Sequence, residues 1–235
     1  MKILAIADEV DSRLYGPILR ERFCDVSLVI SCGDLPIYYL EFIVSTLNVP
    51  LLYVRGNHAP EQISSSGGVK SEPEGCLNID GRVVQVRGLV IAGLEGSMRY
   101  SDGPHQYTES QMRLKALKLA PRLLLNRWRK GHYLDIMVTH AAPRGIHDAG
   151  DLCHLGFQTF VDIIDRARPR YFLHGHMHVY TPNVVTESRR RETTVLNVYG
   201  YRVIEWDQSR PSRGAPQRGR GRRPARGRQW QQGWE

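Results

Sequence analysis

The sequence predicts an α/β protein built on a mainly parallel sheet, and three observations carry that expectation. Short apolar runs alternate with longer amphipathic segments, which is the pattern of βαβ units. Residues able to bind metal stand just past the ends of those runs, where open parallel sheets gather their ligands. With 235 residues and 41% hydrophobic content, the chain is long enough for one sizeable core and has an ordinary globular composition.

The elements follow in order. Lys2–Ala7 reads as a first strand, an apolar run that meets Asp8 too soon for a leader peptide. A helix is expected from about Ser12 to Arg22, a strand over Val26–Ser31, a helix over Pro36–Thr46 with Pro36 in its first turn, and a strand over Pro50–Val54. Beyond Gly56 the texture changes. Ser64–Gly68 is a flexible loop, Arg82–Val86 and Leu89–Ala92 pair as a hairpin or meander, and Gly93–Tyr107 is a Gly-, Ser- and aromatic-rich loop passing near the site. Glu109–Lys130 has a strong helical period, with Met112, Leu114, Leu117, Leu119, Leu123, Leu124 and Trp128 between basic residues, although Pro121 is expected to kink or divide it. Asp135–Thr139 is a strand, Phe157–Arg168 a helix and Arg170–Leu173 a strand; Thr193–Val198 and Arg202–Trp206 are expected to close as an antiparallel pair around Tyr199-Gly200.

Charge divides the chain into two parts. The formal net charge is +8, yet eight arginines and a single acid place +7 of it in residues 208–235, leaving residues 1–207 at +1. That Arg-, Gly-, Pro- and Gln-rich tail cannot bury enough apolar surface to fold and is expected to be disordered, so a single domain is expected over residues 1–207. Its arginines suit weak attraction to nucleic acid or another polyanion, with Trp230 and Trp234 available for stacking; a solubility role fits equally. No apolar run is long enough to cross a bilayer, so no membrane partner is expected. The four cysteines are widely spaced without a C-x-x-C pair, which argues against a structural zinc or a disulfide framework and suits a reducing cytoplasm.

The chemistry is concentrated at strand ends. Asp8 follows the first strand, Asp34 the second, Asn57 and His58 the third, and His140 follows Asp135–Thr139; His176 and His178 follow the last parallel strand, where Gly175 allows a sharp exit. Hard oxygen and imidazole donors at successive carboxyl ends are not what a core requires. Mixed Asp, Asn and His ligation suits Mn, Fe, Zn or Co better than Mg or Ca.

Gly33-Asp34, Gly56-Asn57-His58, Thr139-His140 and Gly175-His176-Met177-His178 together resemble the ordered motif blocks of the calcineurin-like metallophosphoesterases, a likeness covering about residues 3 to 206. The resemblance implies a four-layer α/β/β/α sandwich of two mixed β-sheets flanked by helices, with two divalent ions, manganese foremost and Fe, Zn, Co or Ni as alternatives. It implies that Asp34 bridges both ions, that Asn57, His140 and His176 complete the second site, that Asp8 and His178 belong to the first, and that His58 acts as general acid or charge stabiliser for the departing oxygen. Two such ions, about 3.5–4 Å apart, acidify a bridging water and clamp phosphoryl oxygens during in-line attack.

Two departures stand out. The family's usual Asp-x-His is here Asp8-Glu9-Val10, and the acid that commonly follows the catalytic histidine is Ala59. Arg99, His105 and Arg144 are candidate substrate contacts, with Tyr107, His147, Asp148 and His154 as further lining residues. The expected function is metal-dependent hydrolysis of a phosphoester, more readily a diester. The alternatives are a nuclease aided by the basic tail, or a non-catalytic binding module that keeps the fold with an incomplete first metal site.

Overall fold

The structure is a computed structural model that describes residues 1–58, 62–63, 69–181 and 183–207. The expected basic tail (residues 208–235), the expected loop at residues 64–68 and Ala59 lie outside the described residues.

The chain order is β1 (Lys2–Ala7), α1 (Ile18–Arg22), β2 (Val26–Ser31), α2 (Ile37–Leu47), β3 (Leu51–Tyr53), β4 (Gln62–Ile63), β5 (Val69–Lys70), β6 (Cys76–Asn78), β7 (Val83–Val86), β8 (Leu89–Leu94), β9 (Ser97–Met98), β10 (Gln106–Tyr107), α3 (Glu109–Lys130), β11 (Ile136–Thr139), α4 (Gln158–Ala167), β12 (Tyr171–His174), β13 (Glu187–Arg190), β14 (Thr193–Asn197) and β15 (Gly200–Glu205). Two large mixed sheets result, in the orders β15-β1-β2-β3-β6 and β13-β14-β12-β11-β8-β7. The central pairings β1/β2, β2/β3, β8/β11, β11/β12 and β12/β14 are parallel, while β1/β15, β7/β8 and β13/β14 are antiparallel.

The layering follows from the period of two along each strand, which sends successive side chains to opposite faces. In β1, Ile3, Ala5 and Ala7 face a core shared with Ile91, Ile136, Val138, Leu173 and Leu196 of the other sheet, so this apolar layer lies between the sheets. Leu4 and Ile6 face the opposite way, onto Leu19 of α1 and Tyr39, Leu40 and Ile43 of α2. On the far side, Ala92, Met137 and Phe172 pack against Met112 and Leu119 of α3 and Phe160 and Ile164 of α4. The architecture is therefore helix, sheet, sheet, helix, as expected. Strands buried on both faces also explain why their sequences read as continuous apolar runs.

Three expectations about elements change. The segment after Asp8 is helical only over Ile18–Arg22, because Gly16-Pro17 interrupts it and residues 12–16 form turns. Helix α3 runs through Pro121 undivided. Its start is secured by a capping box in which Thr108 Oγ1 accepts the Gln111 N–H and Gln111 Oε1 accepts the Thr108 N–H, and its end by left-handed Gly131. The carbonyl that Pro121 leaves without a helical donor belongs to Leu117, a residue on the exposed side of the helix. The third change is larger: β14 and β15 do not pair with each other. Strand β14 joins β12 and β13 in one sheet, while β15 pairs antiparallel with β1 in the other, with Gly200 at φ 75° on the crossing. Each short strand completes a different sheet edge, and a hairpin pattern cannot reveal that.

Candidate metal centre

Strand ends β1, β2, β11 and β12, together with the segment after β3, deliver the expected donors to one place. Cys32, buried in the inter-sheet core, carries the chain from β2 into Gly33 and Asp34. Asp8, Asp34 and His176 all take positive φ (64°, 54° and 66°), an uncommon conformation for residues with a Cβ. Each such residue stores roughly 1–3 kcal/mol of local strain, which the surrounding packing must offset. Glycines allow the loops to close on one another. A Cβ on Gly56 would overlap the Asp34 carboxylate and lie 2.8 Å from His140 Cε1, and one on Gly175 would sit 2.6 Å from Asp8 Oδ2.

His140 is the hub. Its ring is wholly buried and its Nδ1 donates to the Cys32 carbonyl at 2.8 Å, which turns Nε2 toward Asn57 Oδ1 at 3.1 Å and Asp34 Oδ2 at 3.2 Å. Asn57 is oriented in turn by its amide nitrogen, which donates to the Tyr100 hydroxyl at 3.0 Å. Asp34 Oδ1 accepts the His58 backbone N–H at 2.9 Å. The His176 N–H donates to both Asp8 oxygens, at 3.1 and 3.0 Å, and His176 Nε2 donates to the Cys153 carbonyl at 2.8 Å. Ligand atoms of Asp34, His140 and His176 lie within 4.8 Å of one another.

The electrostatics match this convergence. Burial by itself would raise the Asp34 carboxyl, but the His140 charge and hydrogen bond, with the His58 N–H, hold it below the usual carboxylate range. Burial would lower His140, and the Asp34 and Asp8 carboxylates overcome that and lift it to about 9. Asp8 is raised to about 6, mainly by burial, opposed by His140 and reinforced by the negative charge of Asp34. His176 falls to about 3 through burial and the neighbouring His140 charge, so it stays neutral and free to donate a lone pair. Two oxygen acceptors aimed at one imidazole nitrogen need a positive centre between them. A proton on His140 serves that need, and a divalent cation serves it equally, since Nδ1 is already committed to a backbone carbonyl as metal-binding histidines usually are. The donor set of carboxylate, amide oxygen and two imidazoles fits Mn, Fe, Co, Ni or Zn.

The other expected residues have different surroundings. His178 is exposed, its Nδ1 lies 2.6 Å from the Tyr180 hydroxyl and its ring rests against Tyr199 at 5.1 Å, outside the Asp34–His140–His176 group. His58 is also exposed, beside Asp34. Val10 packs onto the apolar layer beneath α1 and α2, and Asp11 is held by Nε and Nη2 of Arg13, so neither replaces the missing imidazole. Arg99 donates to Gln111 Oε1 of α3 at 3.1 Å, His105 Nδ1 lies 3.2 Å from Glu95 Oε1, and Arg144 donates to the Gly156 carbonyl at 3.1 Å; each already has a partner within the protein. His147 Nδ1 is 3.0 Å from His174 Nε2, and Asp148 accepts the Gly145 and Gly156 N–H groups, so both brace loops.

Sequence reasoning missed Tyr100 and the carbonyls of Cys32 and Cys153. Tyr100 lies within the aromatic loop that was expected near the site, but nothing in its neighbours singles it out. A backbone carbonyl carries no residue-type signal at all.

Comparison with solved structures supports the architecture. One crystal structure superposes with TM-score 0.55 at 15% identity, covering 86% of this chain and 94% of its own. The crystal structure of TT1561 from Thermus thermophilus superposes with TM-score 0.52 at 13% identity, covering 85% of this chain and 89% of its own. At such identities the likeness concerns the fold. No curated protein sequence matches the chain. The profile of the calcineurin-like phosphoesterases matches residues 14–180, which takes in the Asp34, Asn57, His140 and His176 segments just described. With that match, the layered fold and the oxygen and imidazole donors at its strand ends, the chain belongs to the calcineurin-like phosphoesterase family, which in general acts on phosphoesters with divalent metal ions.

Proposed function

We propose that this protein hydrolyses a phosphodiester at a dinuclear centre, with manganese as its first metal. The observation that carries the reading is the approach of Asn57 Oδ1 and Asp34 Oδ2 to His140 Nε2, three donors disposed around one position. In this reading Asp34 would be shared by two ions, Asn57, His140 and His176 would hold one of them, and Asp8 and His178 would contribute to the other. Bound divalent ions supply acidification of water and neutralisation of phosphoryl charge. The chain does the rest. Cys32 and Cys153 fix the imidazoles through their carbonyls, Tyr100 holds the Asn57 amide, and His58, whose backbone N–H donates to Asp34, would protonate the departing oxygen. Arg99, His105 and Arg144 remain substrate contacts that would have to exchange their present partners for phosphate.

Asp34→Ala and His176→Ala are each expected to abolish manganese-stimulated cleavage of bis-p-nitrophenyl phosphate. Unchanged turnover in both would refute the reading. A second reading is a binding module without catalysis, favoured by the packing of Val10 away from the site and the engagement of His178 with Tyr180. Manganese analysis of the purified, manganese-loaded protein separates the two: two equivalents of manganese support the hydrolase, and none or one supports the module. If the basic tail recruits polynucleotides, deleting residues 208–235 weakens their cleavage and spares small diesters, and equal effects on both exclude that role.

A further inference from the structure

Beside the Asp34–His140 centre stands a second donor group of different chemistry. Ligand atoms of Cys153, His154 and His176 lie within 4.8 Å of one another. His154 Nδ1 is 2.7 Å from Asp151 Oδ2, so in the neutral ring Nε2 carries the lone pair, an orientation carboxylates commonly impose on metal-binding histidines. The His154 and His176 rings are 5.1 Å apart and tilted by 39°; His176 Nε2 donates to the Cys153 carbonyl at 2.8 Å, a hydrogen bond that an ion held by this nitrogen would replace. Cys153 and His154 are both partly exposed, so an ion can reach them from solvent. The Tyr100 hydroxyl interacts with the Asn57 amide and with the Cys153 thiol, and so touches both groups.

We propose that Cys153, His154 and His176 form a zinc-class cation site adjoining the phosphoesterase centre. One sulfur and two imidazoles make a borderline-soft donor set that favours zinc over manganese, in contrast to the oxygen-rich Asp34–Asn57 side. Tetrahedral zinc with bonds of these types needs ligand atoms ~3.4–3.8 Å apart, a spacing that lies inside the 4.8 Å bound on this group. Three protein donors leave a fourth position for water. His176 belongs to both groups, so zinc bound at Cys153 draws on an imidazole that the Asp34–His140 centre also uses.

The test loads the purified full chain with cobalt(II), which reports sulfur ligation through thiolate-to-metal charge-transfer absorption in the near ultraviolet. The absorption is expected in the native protein and in Asp34→Ala and to vanish in Cys153→Ser, with zinc content falling by one equivalent per chain. His154→Ala, which keeps the thiol, is expected to weaken zinc binding by about tenfold or more. Absence of the absorption in the native protein, its persistence in Cys153→Ser, or unchanged zinc affinity in His154→Ala would each overturn the site. Because Asp34→Ala removes the proposed hydrolytic centre and spares every donor named here, failure of either idea is visible without the other.

Discussion

Gly56→Ala isolates the steric demand of the centre, because Gly56 is not in the left-handed region and alanine adds only a methyl group. That methyl would overlap Asp34 Oδ1 and Cγ and stand 2.8 Å from His140 Cε1, tighter than real Cβ contacts allow. Asp34 cannot retreat without loosening the His58 N–H bond at 2.9 Å or the His140 contact at 3.2 Å. Overpacking of this kind costs about 1–3 kcal/mol. In a domain of this size each kcal/mol lowers Tm by roughly 2–4 °C, so a fall of about 2–12 °C is expected. If Asp34 holds metal as proposed, displacing its carboxylate by about an ångström costs on the order of a hundredfold in rate. The assay pairs a thermal melt with manganese-dependent cleavage of bis-p-nitrophenyl phosphate, and Gly16→Ala serves as control because its nearest outside atom would be 4.0 Å away. If Gly56→Ala keeps native turnover and Tm, the crowding of Asp34 against His140 is not what organises the site.

Four further outcomes follow from the site and its surroundings. In the metal-free protein His140 stands at about 9 against an ordinary 6.5, so its stabilising contribution is whole below the ordinary value and is lost as pH climbs through about 9; Asp34, held low, contributes above the ordinary carboxylate value and loses that contribution on acidification. A cation must displace the His140 proton, so calorimetric manganese affinity should tighten with pH and level off near 9, and a pH-independent affinity would count against His140 as a ligand. Tyr100→Phe removes the hydroxyl that orients Asn57 and should weaken manganese binding by about tenfold with little change in Tm; an unaltered titration would show that Asn57 needs no such support. Glu95, 5% exposed, accepts from Tyr107 Oη at 2.6 Å and Lys115 Nζ at 3.3 Å, while Lys115 keeps Asp80 at 2.9 Å. Glu95→Ala therefore falls at the lower end of the range for a broken buried pair, about 3 kcal/mol. A Tm loss of roughly 6–12 °C is expected in a melt, and a loss near zero would make the cluster incidental.

The strands β1, β2, β8, β11 and β12 were legible because each is a local apolar run, and α2 and α4 because each carries an amphipathic period. The pairing of β14 with β12 and of β15 with β1 was not, since β12 is separated from β14 by another strand and β1 lies at the opposite end of the described chain from β15. Within the site, Asp34, Asn57, His140 and His176 could be picked out by residue type and position after a strand. Their supports could not: Tyr100 is one aromatic among several in its loop, and the carbonyls of Cys32 and Cys153 are properties of backbone path. His178 could be picked out by residue type in the same way, but its exposure and its contact with Tyr180 depend on the turn that the positive φ of His176 gives the chain.

By itself the sequence determined which residues have apolar faces to bury and which donors follow each strand, because periodicity and residue type act over a few neighbouring positions. Only the tertiary structure decided which nitrogen of His140 faces Asn57 and Asp34, that Val10 serves the core instead of a metal, and that Cys153 and His154 come to rest beside His176. Those outcomes depend on contacts between segments far apart in the chain, where close packing and hydrogen-bond completion choose among side-chain orientations that local sequence leaves equally open.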